Sequence, residues 1–130
     1  MIVVDASAII EVVLRTRAAT AVERRLHDMR ETLHAPHLID IEVAHVIRRS
    51  AAIGDIGADR GHAAIEDLAD FPMYRHPHLP LLHRIWELRH NLTAYDAAYV
   101  ALAEVLGAPL VTRDARLAAS SAHRAQIELI

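Results

Sequence analysis

The 130-residue sequence has no cysteine and no lysine. Without cysteine there is no disulfide, zinc–thiolate site, iron–sulfur cluster or thiol nucleophile, so any metal must be held by oxygen or imidazole. All 14 basic residues are arginine, which excludes a Schiff-base lysine, a phosphate-loop lysine and a lysine base. Aromatic residues are few, one Trp, three Tyr and one Phe, leaving little room for base stacking on many exposed rings. Four glycines and five prolines are too few for a low-complexity or disordered segment. No apolar stretch approaches the ~20 residues that span a bilayer, and Met1-Ile2-Val3-Val4-Asp5 lacks the basic start of a signal peptide. The chain is therefore read as cytoplasmic, with no membrane partner. At 53% hydrophobic it can bury the core of one domain, taken as residues 1–130. The formal charge of −3 disfavours nucleic acid as a partner until cations are considered: two divalent ions would bring it to about +1 and leave the arginines free to meet phosphate.

What is present alternates between β and α patterns. Ile2-Val3-Val4 reads as a buried strand ending at Asp5, and Ser7 is placed to cap a helix from Ala8 to Leu14. A second helix is expected over Ala18–Arg30, with Ala21, Val22, Leu26 and Met29 inward and Glu23, Arg24, Arg25 and Asp28 outward. Strand Leu33–Ala35 follows, then Pro36 opening a helix over His37–Arg49, a break at Gly54 and Gly57, and a helix near Asp59–Leu68. Met73–Arg75 reads as a third strand, and Pro80 starts a helix through Arg89. Thr93 caps a helix over Ala94–Leu106 that Gly107 stops, and Leu110–Thr112 and Gln126–Leu129 are the last strands. Strands alternating with helices predict a mainly parallel, twisted sheet in a three-layer α/β/α domain. Phe71 and Trp86 are expected in the core, and the ten histidines dispersed over the surface. The sequence-adjacent pairs His34/His37 and His76/His78 flank prolines and lack helical i, i+4 spacing.

Four acids carry the chemical signal. Asp5 and Asp114 follow strands, and in parallel sheets such positions share the carboxyl-end edge where ligands bind. Helical rotation puts Leu38, Glu42 and Val46 within about 80° of one another, so Glu42 falls among apolar neighbours. Asp40 points elsewhere and reads as solvated. Thr93-x-x-Asp96 fits a capping box, yet Asp96 also shares a stripe with Tyr99, Val100 and Ala103. Each acid alone has a structural explanation as cap, turn residue or core ion pair. Together, carboxylates converging on one edge repel unless protonated or neutralised by cations, and hard oxygen donors suit Mg²⁺ or Mn²⁺. Such a cluster serves phosphodiester hydrolysis, with water as nucleophile.

The segments Asp5-Ala6-Ser7, Pro36 through Glu42 into Arg48-Arg49, Leu92-Thr93-Ala94-Tyr95-Asp96-Ala97-Ala98-Tyr99 and Leu110-Val111-Thr112-Arg113-Asp114 resemble the PIN-domain family, in its order and across essentially the whole chain. Within that family the sequence is similar to the VapC toxins of VapBC toxin–antitoxin pairs. The resemblance implies a Mg²⁺- or Mn²⁺-dependent endoribonuclease whose catalytic and metal-holding acids are Asp5, Glu42, Asp96 and Asp114, with Ser7 and Thr112 as supporting hydroxyls. It also implies a homodimer and a VapB-like antitoxin seated in an apolar groove near the first four helices. Arg113 and Arg116, beside Asp114, are the candidate RNA phosphate contacts.

Other readings explain less. A receiver domain needs adjacent acids after its first strand and a lysine after its last, whereas Val4 precedes Asp5 and lysine is absent. A haloacid-dehalogenase-type phosphatase wants an acid where Ser7 stands, and Ser7 lacks a nucleophile-elbow context. Two alternatives within the family stay open: a PIN nuclease that processes RNA without being a toxin, and a PIN fold that binds without cutting.

Overall fold

The computed structural model describes residues 1–27 and 30–130. In chain order the elements are β1 (Ile2–Val4), α1 (Ala6–Val13), α2 (Ala19–Leu26), β2 (Leu33–Pro36), α3 (Leu38–Ala52), α4 (Ala58–Ala69), β3 (Tyr74–His76), a 3₁₀ turn (Leu79–Leu81), α5 (Leu82–Glu87), α6 (Ala94–Leu106), β4 (Leu110–Thr112), α7 (Ala115–Ala118) and β5 (Ile127–Leu129). The strands form one sheet of order β3-β2-β1-β4-β5 in which every pairing is parallel. Strands β1, β2 and β4 are wholly buried, as central strands covered on both faces should be, and β1 and β4 are rich in β-branched residues, while β3 and β5 are half-exposed edges. Helices α1 to α4 pack on one another and α5 packs on α6. Right-handed crossovers place these two sets on opposite faces, because the chain moves one way from β1 to β3 and then returns past β1 to β4. The expected α/β/α sandwich is therefore the observed one. The reversal of strand order falls between β1 and β4, which puts Asp5 and Asp114 beside the switch point.

Helix α6 is as expected at both ends. Thr93 accepts a hydrogen bond from the Asp96 N–H at 3.1 Å, and Gly107 adopts φ 59°, a left-handed position that a Cβ would strain. Its middle, Ala97 to Ala103, is buried all round, so the alanines let it lie close against β1 and β2.

Several boundaries depart from expectation. Asp5, not Ser7, caps the first helix, because Asp5 holds the extended backbone of a cap (φ −95°, ψ 169°) and accepts from the Ala8 N–H, which starts α1 at Ala6. Helix α2 ends at Leu26, with the His27 ring turned back onto the Glu23 carbonyl; Asp28 and Met29 of the expected longer helix lie outside the described residues. Pro36 closes β2 instead of opening a helix, and α3 runs on to Ala52. Strand β3 sits one residue later than expected because His34 registers with Tyr74. The Pro80 helix is a 3₁₀ turn followed by the short α5, and α7 is a single turn without a periodic signal.

Two expectations about side chains also fail. Phe71 is only half-buried and Trp86 is 68% exposed, with the Arg89 guanidinium 4.5 Å above its ring. On so short a helix Leu81 and Leu88 take the inward positions, which leaves Trp86 facing out. The histidines are not all dispersed: β2–β3 pairing brings His34 Nδ1 within 2.9 Å of His76 Nε2, and His37 meets His78 edge to face. Burial, with the neighbouring His76 a smaller cause, holds the His34 imidazole below its usual pKa.

Candidate functional site

Asp5 leaves β1 at the switch point and is buried, yet it is surrounded by neutral donors. Ser7 Oγ donates to its Oδ1 at 2.5 Å, Thr112 Oγ1 to its Oδ2 at 2.7 Å, and the Ala8 N–H to Oδ1 at 3.3 Å. Burial pushes its pKa up, and these hydrogen bonds only partly offset that rise. Ser7 and Thr112 stand where they were expected. Each is itself held by the loop after β4, with the Arg113 N–H donating to Ser7 Oγ at 2.8 Å and the Asp114 N–H to Thr112 Oγ1 at 2.9 Å.

Glu42 lies on α3 beside, rather than within, the buried stripe, which is Ile39, Val43 and Ile47. The expected apolar neighbours Leu38 and Val46 are half-buried like Glu42 itself, so the carboxylate sits at the rim of the core. It accepts a hydrogen bond from the buried Tyr99 hydroxyl of α6. Burial raises its pKa, and the charges of Asp5 and Asp96 raise it further. Tyr99 is the site residue that sequence reasoning missed. Its signal was a position on the Asp96 stripe, since a buried tyrosine hydroxyl requires a partner.

Asp96 is half-buried in the first turn of α6. Thr93 caps its N–H, but among the described residues the reciprocal arm of a capping box is not formed, so the carboxylate is left to the edge. Asp114 behaves differently. It caps α7 by accepting from the Arg116 and Leu117 N–H groups and takes a further bond from the Arg116 guanidinium at 3.1 Å. Burial pushes its pKa up, but these bonds outweigh burial and hold it below the usual value.

The four acids thus gather at one edge in two groups. Glu42 lies within electrostatic reach of both Asp5 and Asp96, and Arg116 feels both Asp114 and Asp96. Among the described residues no three histidine, aspartate or glutamate side chains stand close enough to chelate one ion. Asp5, Glu42 and Asp114 each have their own hydrogen-bond donors. In donor chemistry the set suits a hard divalent cation: oxygen ligands only, like charges in mutual range, and no cationic side chain on Asp5 or Glu42 among the described residues.

The candidate phosphate contacts differ in freedom. Arg113 is tied to Glu11 at 3.4 Å and to the Ile130 carbonyl at 2.9 Å, whereas the Arg116 side chain is 86% exposed. Asp40, expected to be merely solvated, shares the Arg75 Nε–H between its two carboxylate oxygens, each 2.9 Å away. An apolar groove of about 290 Å³ opens between α1, α2 and the segment before β3, lined by Val12, Leu26, Leu33 and Phe71 among others. No helix among the described residues is long and apolar enough to cross a membrane.

Known proteins with the same pattern fall in one group. The sequence profile of the PIN domain matches residues 2–122. Ribonuclease VapC12 of Mycobacterium tuberculosis is 45% identical over 130 residues, covering 100% of this chain and 99% of that protein. Ribonuclease VapC1 of the same organism is 42% identical, covering 98% and 96%. Among solved structures, PAE2754 from Pyrobaculum aerophilum superposes with a TM-score of 0.72 at 27% identity, over 96% of this chain and 81% of that one. Mycobacterium tuberculosis VapC20, a sarcin–ricin-loop-cleaving toxin, has the same fold, with a TM-score of 0.69 at 16% identity over 92% and 94%.

Proposed function

The chain belongs to the PIN-domain family, and from that premise we propose that it is a VapC-like endoribonuclease, the toxin of a toxin–antitoxin pair, which hydrolyses RNA phosphodiester bonds. The observation that carries the reading is a set of carboxylates at the sheet's switch point: Asp5 and Glu42, oriented by neutral donors with no arginine bonded to either among the described residues, and Asp96 within electrostatic range of Glu42. Asp5, Glu42, Asp96 and Asp114 would hold Mg²⁺ or Mn²⁺, which supplies charge neutralisation and an activated water when bound. Ser7 and Thr112 hold the two oxygens of Asp5 at fixed positions, and Tyr99 does the same for one oxygen of Glu42. Thr93 fixes the turn that presents Asp96. Arg116, exposed beside Asp114, is free to swing to an RNA phosphate; Arg113 reaches one only by leaving Glu11.

Residues 1–130 act as one domain in this reading, since β5 lies beyond the matched profile yet still pairs with β4. The protein works in the cytoplasm. A VapB-like antitoxin occupies the groove between α1, α2 and the β3 segment, and Leu79, Leu82 and Trp86, exposed along one face at α5, supply the surface for a homodimer.

The test is a map of new RNA 5′ ends after brief expression of the chain beside Asp5→Asn. Discrete ends that appear only with the parent chain are the expected result. Identical maps from two folded, partner-free proteins overturn the reading.

A further inference from the structure

We propose that the groove beside Glu42 seats the nucleobase next to the scissile phosphate, with Tyr95 as its stacking platform. The inference rests on the ribonuclease reading and adds to it where the substrate's base lies. The groove holds about 510 Å³, within the ~300–1,000 Å³ of small-molecule clefts. Its walls are mostly apolar, from Ile10 of α1, Ile41 and Val46 of α3, and the Tyr95 ring of α6.

Three observations choose a base as the occupant. Ser7 and Glu42 line both this groove and the acid cluster, so a nucleotide whose phosphate lies at the acids has its neighbouring base over the groove. Among the described residues no arginine lines the groove and Glu42 is the one acid that does, so the groove suits a neutral, flat, apolar-faced group better than a phosphate. Tyr95 is 61% exposed and sits in the capped turn that presents Asp96, so its backbone is held at a fixed offset from that acid while its ring stays open to a ligand. The other aromatic residues are committed elsewhere. Tyr99 is buried on Glu42, Phe71 is half-buried in the antitoxin groove, Tyr74 stacks on His34, and Trp86 lies under Arg89. His45, also lining the groove, places a hydrogen-bonding ring where it can read the edge of the base.

The experiment uses the full chain, free of partner, with Mg²⁺ or Mn²⁺, and a short oligoribonucleotide spanning a cleavage site from the 5′-end map. The parent, Tyr95→Ala and Tyr95→Phe are compared on that RNA and on copies with an abasic nucleotide on either side of the cut. Tyr95→Ala is expected to raise KM by about 10-fold or more with a smaller change in kcat, while Tyr95→Phe stays near the parent. One abasic copy should penalise the parent but add nothing to Tyr95→Ala. A parent that cuts while Tyr95→Ala keeps its KM overturns this proposal alone; a parent that cuts no RNA overturns the ribonuclease reading with it. Unchanged KM together with an altered oligomeric state, or with lost antitoxin binding, also overturns the base seat and gives the groove to a second copy or to antitoxin.

Discussion

Two populations of carboxylates divide this molecule. One population is matched to arginine: Asp40 to Arg75, Glu104 to Arg84, Glu128 to Arg25 and, at the carboxyl edge of the sheet itself, Asp114 to Arg116. The other, Asp5 and Glu42, receives only hydroxyl and amide donors among the described residues. The pKa directions follow. Hydrogen bonds from Arg84 and Arg25 hold Glu104 and Glu128 low, whereas burial lifts Asp5 and Glu42. Helix α6 carries one of each kind, Asp96 in its first turn and Glu104 in its last. A chain with 14 arginines does not lack counterions, so leaving those edge acids without one keeps negative charge available for a cation.

The largest expected effect separates the two populations by activity. Asp5→Asn should lower RNA cutting by more than about 100-fold, because even outer partners of metal ligands cost 10–100-fold, while unfolding free energy stays within about 1 kcal/mol of the parent. An Asp5→Asn chain that does not fold would move Asp5 to the structural population. The mirror experiment is Arg84→Ala, which strips the guanidinium from Glu104, whose side chain is only 5% exposed. Urea denaturation should show a loss of about 3 kcal/mol, with cutting per folded molecule unchanged.

Ligand linkage gives the next effect. Mn²⁺ or Mg²⁺ at a hundred times its dissociation constant should stabilise the parent by about 2.7 kcal/mol and leave an Asp5→Asn/Glu42→Gln double variant unmoved. Equal stabilisation of both would place the ion away from these acids.

The pH dependence without metal has opposite signs in the two populations. Asp5 and Glu42 have folded pKa values above their ordinary 3.8 and 4.5, so their contribution is complete below that range and drains away as pH rises through the folded values. Glu104 and Glu128 lie below 4.5, so theirs is present above it and is lost as pH falls. The stability of the parent relative to the Asp5→Asn/Glu42→Gln variant should therefore decline as pH rises above the ordinary carboxylate values in EDTA, as read by denaturation at each pH. The smallest expected effect is Thr93→Ala, costing about 1 kcal/mol of stability by freeing the N-terminal turn of α6. It should also reduce cutting, because the same turn carries Asp96.

Much of this site was legible without coordinates. Asp5 and Asp114 were placed at one edge because parallel strands end together, and α6 was bounded at both ends because Thr93 and Gly107 act through their own backbone. Glu42 was found by rotation about α3, although the buried stripe lies one residue over, at Ile39, Val43 and Ile47, which leaves Glu42 at its rim. The Tyr99–Glu42 bond was not visible, since it joins residues 57 apart whose facing depends on how α3 and α6 meet above the sheet. The His34–His76 contact escaped for the same reason: it joins residues 42 apart, brought together by the pairing of β2 with β3.

What the sequence determined by itself was local: strand and helix types, the α6 cap and stop, the absence of lysine and cysteine chemistry, and the acids available to an edge. These depend on backbone preferences and side-chain chemistry over a few residues. Which acids go without an arginine among the described residues was left to the packing of the fold. Whether a guanidinium reaches a carboxylate depends on distances across elements far apart in sequence, and the strand order that returns β4 beside β1 sets those distances.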